Sequence, residues 1–270
     1  MRIALLQCEP QSRGKTEALA GLERTALAAA AGGARLLMTP EMYLSGYNIG
    51  AEAARAAAES RDGPSLQAAR AIARRIGIAV LMGFPERAQD GAVYNSVQLI
   101  GPDGVARASY RKTHLYGAVD RAQFAAGAAL RQPVLLEEWP VGLAICYDIE
   151  FPEVPRRLAL AGAQAILVPT ANMTPFESVA LRLVPARAEE NAVHVAYANY
   201  VGREGAFHYC GLSCVCGPDG ADLARAGRGT ELLFAELSKQ QLAETRARST
   251  HLEDLRPDLY HAPLDSGEAQ

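Results

Sequence analysis

The sequence predicts an α/β fold built on two sheets covered by helices, in which the two halves of the chain repeat one topology. Three observations carry that expectation. Strand and helix patterns alternate from the N-terminus, and the turn tetrapeptide Gly-Pro-Asp-Gly occurs twice, at 101–104 and 217–220. No linker-like stretch divides the 270 residues, so one domain is expected. With 49% hydrophobic and 21% charged residues, the chain can bury a sizeable core, and wholesale disorder is excluded.

The elements follow in order. Ile3 to Cys8 is a short apolar strand. Residues 14–32 are Ala-rich, repeat their apolar positions at helical period and stop at Gly32-Gly33. Ala34 to Thr39 is a second strand that runs directly into Pro40-Glu41. A helix from Ser65 to Arg75 follows the start signal Asp62-Gly63-Pro64, and a strand runs from Ile78 to Phe84. The strands Val93 to Ile100 and Val105 to Tyr110 form a hairpin through the first Gly-Pro-Asp-Gly, where Pro fixes φ and Gly tolerates positive φ. Then come a strand (Val141 to Cys146), a helix (Pro152 to Ala161), a strand (Ala165 to Val168), a helix (Pro175 to Glu190) and a strand (Ala192 to Asn199). The second Gly-Pro-Asp-Gly again lies between strand-like runs, while His251 to Gln270 has little periodicity and reads as a tail.

Composition narrows the function classes. The net charge of −3 and pI near 6.0 give no footprint for nucleic acid or an anionic membrane surface, and Arg70, Arg74 and Arg75 read as a solvated helix face. The N-terminus turns polar too soon for a secretory signal or a membrane span, so a cytoplasmic protein with reduced thiols is expected. Neither a phosphate-cradling G-x-x-x-x-G-K nor a dinucleotide G-x-G-x-x-G occurs, and no cofactor is implied. Cys210, Cys214 and Cys216 lack a second ligand cluster and read as core packing, not as a metal site.

Three predicted strands end in residues able to do chemistry: Glu41, Lys112 and Cys146. Cys146 stands where a strand gives way to a helix opened by Pro152. There the positive helix end is expected to lower the thiol pKa, and nearby backbone N–H groups could hold an oxyanion. A free cysteine also serves often as packing, and a lone Glu or Lys is most often a surface charge. As a trio they point to hydrolysis of an amide-like C–N bond. A buried carboxylate would carry the thiol proton to the leaving amine, a lysine would stabilise the oxyanion, and water would hydrolyse the thioester. His114, two residues past Lys112, leaves a Cys–His arrangement open.

Pro40-Glu41, the Tyr110-Arg111-Lys112-Thr113-His114-Leu115 block and the run Cys146-Tyr147-Asp148-Ile149-Glu150-Phe151-Pro152-Glu153 resemble the three signature blocks of the nitrilase superfamily of carbon–nitrogen hydrolases. Their separations, 71 residues and then 34, suit it as well. The resemblance implies a four-layer αββα sandwich with a hydrolase domain over residues 1–250 and a tail, 251–270, that docks on a partner in a homodimer or higher homo-oligomer. It implies Cys146 as nucleophile, Glu41 as general base and acid, and Lys112 with the Tyr147 backbone N–H as oxyanion stabilisers. Many members carry a second glutamate after the lysine. Asp120 stands at that position here, one methylene shorter, as an accessory residue.

Cys146-Tyr147-Asp148 is similar to the amidase branches, whereas nitrilases tend to follow the cysteine with Trp-Glu. The same blocks most resemble 5-aminopentanamidases of lysine catabolism and related stereoselective amidases, which implies a small aliphatic amide substrate. Tyr47, Tyr116, Asn172 and Met173 are expected at the pocket, with Tyr43 lining its mouth or packing. Asp148 or Glu177 is expected to receive the substrate's amino group, since an unpaired buried ammonium is costly. The same trio would also suit an N-carbamoyl amidohydrolase or a nitrilase, and a superfamily member without catalysis would be a binding module.

Overall fold

The computed structural model describes residues 1–10 and 14–260. The first sheet is built from β1 (Arg2–Gln7), β2 (Leu36–Met38), β3 (Ala79–Arg87), β4 (Val93–Ile100) and β5 (Ala106–Arg111). The second draws on β6 (Val134–Leu136), β7 (Trp139–Leu143), β8 (Ala165–Pro169) and β9 (His194–Ala198). A separate ribbon, β10 (Val201–Glu204) with β11 (Phe207–Cys210), precedes β12 (Cys214–Cys216) and β13 (Asp222–Arg225), which complete the second sheet. The last strand, β14 (Glu231–Glu236), returns to the first.

The expected repeat of topology is explicit in the strand order. In the first sheet β1, β2 and β3 are parallel, the hairpin β4–β5 follows antiparallel, and β14 closes the other edge antiparallel to β1. In the second, β7, β8 and β9 are parallel, the hairpin β12–β13 follows antiparallel, and β6 closes the other edge antiparallel to β7. Each Gly-Pro-Asp-Gly turn sits in the corresponding hairpin, with Gly104 and Gly220 at φ 79° and 77°.

Side-chain alternation assigns the layers. Ile3, Leu5, Leu36 and Met38 point inward against Val141, Leu143, Ala165 and Leu167 of the other sheet. The intervening Ala4, Leu6 and Leu37 pack outward under α1 (Lys15–Ala31) and, after α2 (Ala51–Ala57), under α3 (Pro64–Ile76). On the far side Ile166, Val168 and Val195 pack against α5 (Glu153–Leu160) and α6 (Val184–Asn191), which follow α4 (Gly117–Gln123) in the chain. The result is the αββα sandwich, in a single domain. Strands covered on both faces read as continuous apolar runs, which is why their sequence signal was strong. Pro64 opens α3 and Gly77 ends it at φ 76°, the expected asymmetry of start and stop residues.

Several details differ from the sequence expectation. The strand predicted to end on Cys146 ends at Leu143, and residues Cys146–Glu150 form a 3₁₀ turn. The helix expected from Pro175 contains a π-helical turn at Val179–Leu183 before α6. Pro185 lacks the N–H for a bond four residues back, and its ring crowds that carbonyl, so the backbone widens ahead of it. The short α2, α4 and ribbon were not anticipated. Neither was α7 (Lys239–Arg248), which buries only Leu242 and Thr245. A last turn, α8 (Pro257–Tyr260), is exposed, and the rest of the expected tail, 261–270, lies outside the described residues. Among the described residues no helix is long and apolar enough to cross a membrane.

Candidate active site

Glu41 lies just past β2, in a loop clamped between the sheets. Its N–H donates to the Thr170 carbonyl at the end of β8, and Leu44 N–H donates to Gly83 of β3. The side chain is fully buried, and Oε1 accepts from Asn95 Nδ2 and Lys112 Nζ, both at 2.7 Å. Oε2 has no hydrogen-bond partner among the described residues. Burial, opposed by the Lys112 charge and reinforced by Asp120, holds this carboxyl above its ordinary range.

Lys112 follows β5 directly, its backbone pinned by bonds to Asn95 and Gly127. Its ammonium is fully buried between two carboxylates, with Asp120 Oδ2 at 2.7 Å in addition to Glu41. Burial would push it down, but Glu41, Tyr47 and Asp120 outweigh burial, and it stays protonated well above the ordinary lysine range. Asp120 on α4 also accepts from Tyr116 N–H at 2.8 Å. The shorter side chain therefore does reach the lysine, because α4 brings it there.

Cys146 has φ 47°, a left-handed backbone that β-carbons disfavour, and the residues after it explain how it is held. The buried Asp148 carboxylate accepts from Ile145 N–H, Tyr110 Oη, Thr113 Oγ1 and His114 N–H, with the His114 ring Nδ1 at 2.9 Å. Its hydrogen bond to His114 raises that imidazole's pKa. The strand end, the lysine segment and the turn are thus tied to one carboxylate.

The Cys146 thiol corrects one expectation. Burial and the Glu41 charge push it well above the ordinary thiol range, outweighing the Lys112 charge. The turn's N-terminus does not produce a resting thiolate, so a base must remove the proton.

Cys146 lines a cavity of about 180 Å³ together with Tyr47, Tyr116, Tyr147, Glu150, Ala171, Asn172, Met173 and Phe176. A cavity of this size suits a small molecule. Lys112 Nζ lies 5.5 Å from the Tyr47 ring, which places the buried ion pair directly behind that wall. Asn172 is held by its N–H to Asn199 Oδ1 and its amide to the Phe176 carbonyl.

Two expected substrate contacts lie elsewhere. Asp148 is saturated by its own donors and does not line the cavity. Glu177 turns outward, accepting from Thr174 Oγ1 and pairing with Arg228 at 3.5 Å. Tyr43 packs under α1, donating to the Ala18 carbonyl. Cys210, Cys214 and Cys216 are buried, and no metal-holding group of His, Cys, Asp and Glu is present among the described residues. The sequence reading missed Glu150 and Phe176 as cavity residues. It also missed Glu204, which accepts from Tyr47 N–H and Asn48 N–H and from the hydroxyl of Tyr209 at 2.5 Å, fixing the Tyr47 loop.

Residues 2–247 match the family described as Carbon-nitrogen hydrolase. A Pseudomonas protegens protein described as a hydrolase in the pqqF 5′ region is 50% identical over 96% of this chain and 90% of its own. An (R)-stereoselective amidase of Pseudomonas sp is 40% identical over 87% of this chain and 85% of its own. The crystal structure of an amidase from Nesterenkonia sp. superposes with a TM-score of 0.84 at 34% identity, covering 96% of this chain and 95% of that one. A glutamate-to-glutamine mutant of the amidase from Nesterenkonia sp. AN1 (TM-score 0.83, 33% identity, 96% and 95% covered) shows covalent addition of the acetamide moiety of fluoroacetamide at its active-site cysteine.

Proposed function

The chain belongs to the carbon–nitrogen hydrolase family, and from that premise we propose that it is a cofactor-free amidase converting a small aliphatic amide to carboxylate and ammonia. The finer reading is 5-aminopentanamide plus water to 5-aminopentanoate plus ammonia. The observation that carries the proposal is the buried Glu41–Lys112 pair beside the Cys146 thiol, which feels both charges.

The chemistry follows from the protonation states. Glu41, with Oε2 unpartnered, takes the Cys146 proton as sulfur attacks the amide carbon. Lys112 and the Tyr147 backbone N–H stabilise the oxyanion, and Asp120 holds the lysine as its second carboxylate partner. As the tetrahedral intermediate collapses, the C–N bond breaks, Glu41 returns the proton to nitrogen, and ammonia leaves a thioester on Cys146. Glu41 then takes a proton from water, hydroxide adds to the thioester carbon, and the C–S bond breaks with the proton going back to sulfur. Lys112 cannot be the base, because its carboxylate neighbours keep it protonated. The reading carries with it a cytoplasmic homodimer or higher homo-oligomer with neither nucleic acid nor a membrane as partner.

The test is ammonia release from 5-aminopentanamide, propionamide and hexanamide, with Cys146→Ala as blank. Glu41→Gln and Lys112→Ala should each lower turnover at least about 100-fold, the scale of one general-base or oxyanion contribution. Wild-type-like rates in either folded variant would sink the assignment. Turnover of carbamoyl compounds or nitriles alone would keep the residues and change the substrate.

A further inference from the structure

We propose that Glu150 sets the substrate class, its carboxylate receiving the ammonium group at the far end of a short ω-amino amide. This deepens the amidase reading and rests on it for the identity of the amide. Glu150 ends the 3₁₀ turn that begins at Cys146, and both residues line the same cavity. Its backbone carbonyl accepts from Arg187, whereas its carboxylate has no hydrogen-bond partner among the described residues.

The neighbouring cations are already engaged. Lys112 is held by Glu41 and Asp120. Arg187 donates to the carbonyls of Ile149 and Glu150 and to the Glu190 carboxylate. The walls around Glu150 are largely aromatic or apolar, with Tyr47, Tyr116, Met173 and Phe176 among them. Burial accordingly holds its carboxyl above the ordinary glutamate range despite Lys112 and Arg187. A half-buried carboxylate in such walls has no direct ion-pair partner among the described residues, and an ammonium entering the cavity would supply one. The other acids nearby are committed elsewhere. Asp148 is saturated, Glu177 pairs with Arg228, and Glu41 and Asp120 hold Lys112.

The experiment measures binding, so that it does not depend on turnover. Calorimetry on the Cys146→Ala protein compares 5-aminopentanamide with hexanamide, which puts a methyl group where the ammonium stands. The amino-amide should bind at least about 10-fold tighter, the scale of one charge-assisted hydrogen bond. Adding Glu150→Gln should bring the ratio close to one, while Glu150→Asp should keep part of it. Glu150→Ser repeats the charge removal if the Gln variant does not fold. No preference in the parent, or a preference that survives loss of the charge, overturns the proposal. A preference that requires Glu150, in a wild-type protein releasing no ammonia from either amide, would overturn the amidase reading and leave Glu150 as the cation site.

Discussion

Asp120 Oδ2 stands 2.7 Å from Lys112 Nζ, and both side chains are fully buried. The Asp120 charge therefore works on Glu41 as well as on the lysine, raising the Glu41 carboxyl alongside burial and against Lys112. Glu41, the proposed base, becomes more protonated at low pH when tuned upward, so its titration should set the acidic limb of activity. In Asp120→Asn the Glu41 pKa falls, and the acidic limb of kcat/KM should move to lower pH. The weaker base and less firmly held lysine should also lower kcat roughly 10- to 100-fold. A pH–rate profile checks both, and an unmoved limb would separate Asp120 from Glu41.

Gly83 is expected to be irreplaceable although it lies outside the cavity. A β-carbon there would stand 2.4 Å from Met42 N and 2.9 Å from the Pro40 carbonyl, so β3 presses on the loop that presents Glu41. Backbone cannot move aside as a flexible side chain can. Gly83→Ala should destabilise the fold by about 1–3 kcal/mol and displace Glu41, lowering kcat more than it changes KM. Thermal melts and steady-state kinetics on the folded variant test this. Unchanged kcat would show that the loop has room.

How far the sequence carries the site is clearest at the turn after Cys146. The layers were legible because strands buried on both faces are apolar runs, and the duplicated Gly-Pro-Asp-Gly marked equivalent hairpins. The order and spacing of Glu41, Lys112 and Cys146 marked one site. Which acid of Asp148 and Glu150 faces the cavity was not legible. Both lie within four residues of the cysteine, and the choice depends on a tight 3₁₀ turn and on donors from the distant 110–114 segment. The raised thiol pKa is hidden from the sequence for a related reason. A helix start is visible in sequence, but the burial and the Glu41 charge that outweigh it are tertiary.

Asp148 should be a structural necessity and a poor specificity residue. Its carboxylate faces donors from Ile145, Tyr110, Thr113 and His114, and Asn would place an NH₂ among them. Asp148→Asn is expected to cost at least about 2 kcal/mol, because buried donors lose their acceptor. Relaxation of the strained Cys146 backbone should also slow alkylation of the thiol by iodoacetamide. Urea denaturation and intact-mass labelling measure the two effects. A variant of native stability with a shifted amide preference would instead return Asp148 to the substrate.

His194 should make the fold acid-sensitive at a distance from the chemistry. The ring is buried against Trp139, and its Nε2 lies 3.2 Å from the Ser238 carbonyl, so Nε2 carries the hydrogen and donates. Nδ1 is buried without a hydrogen-bond partner among the described residues, and burial pushes the imidazole down to about 4. The unfolded chain binds this proton near pH 6.5, so between about 6.5 and about 4 it holds more proton than the native state. Stability is then complete above about pH 6.5 and declines as pH falls, by about 2 kcal/mol at about pH 5 and about 3 kcal/mol below about pH 4. His194→Gln keeps a donor for Ser238 but cannot titrate. Urea midpoints at about pH 7.5 and about pH 5 should therefore diverge less in the variant than in the wild type, and equal divergence would place the acid sensitivity in the carboxylates instead.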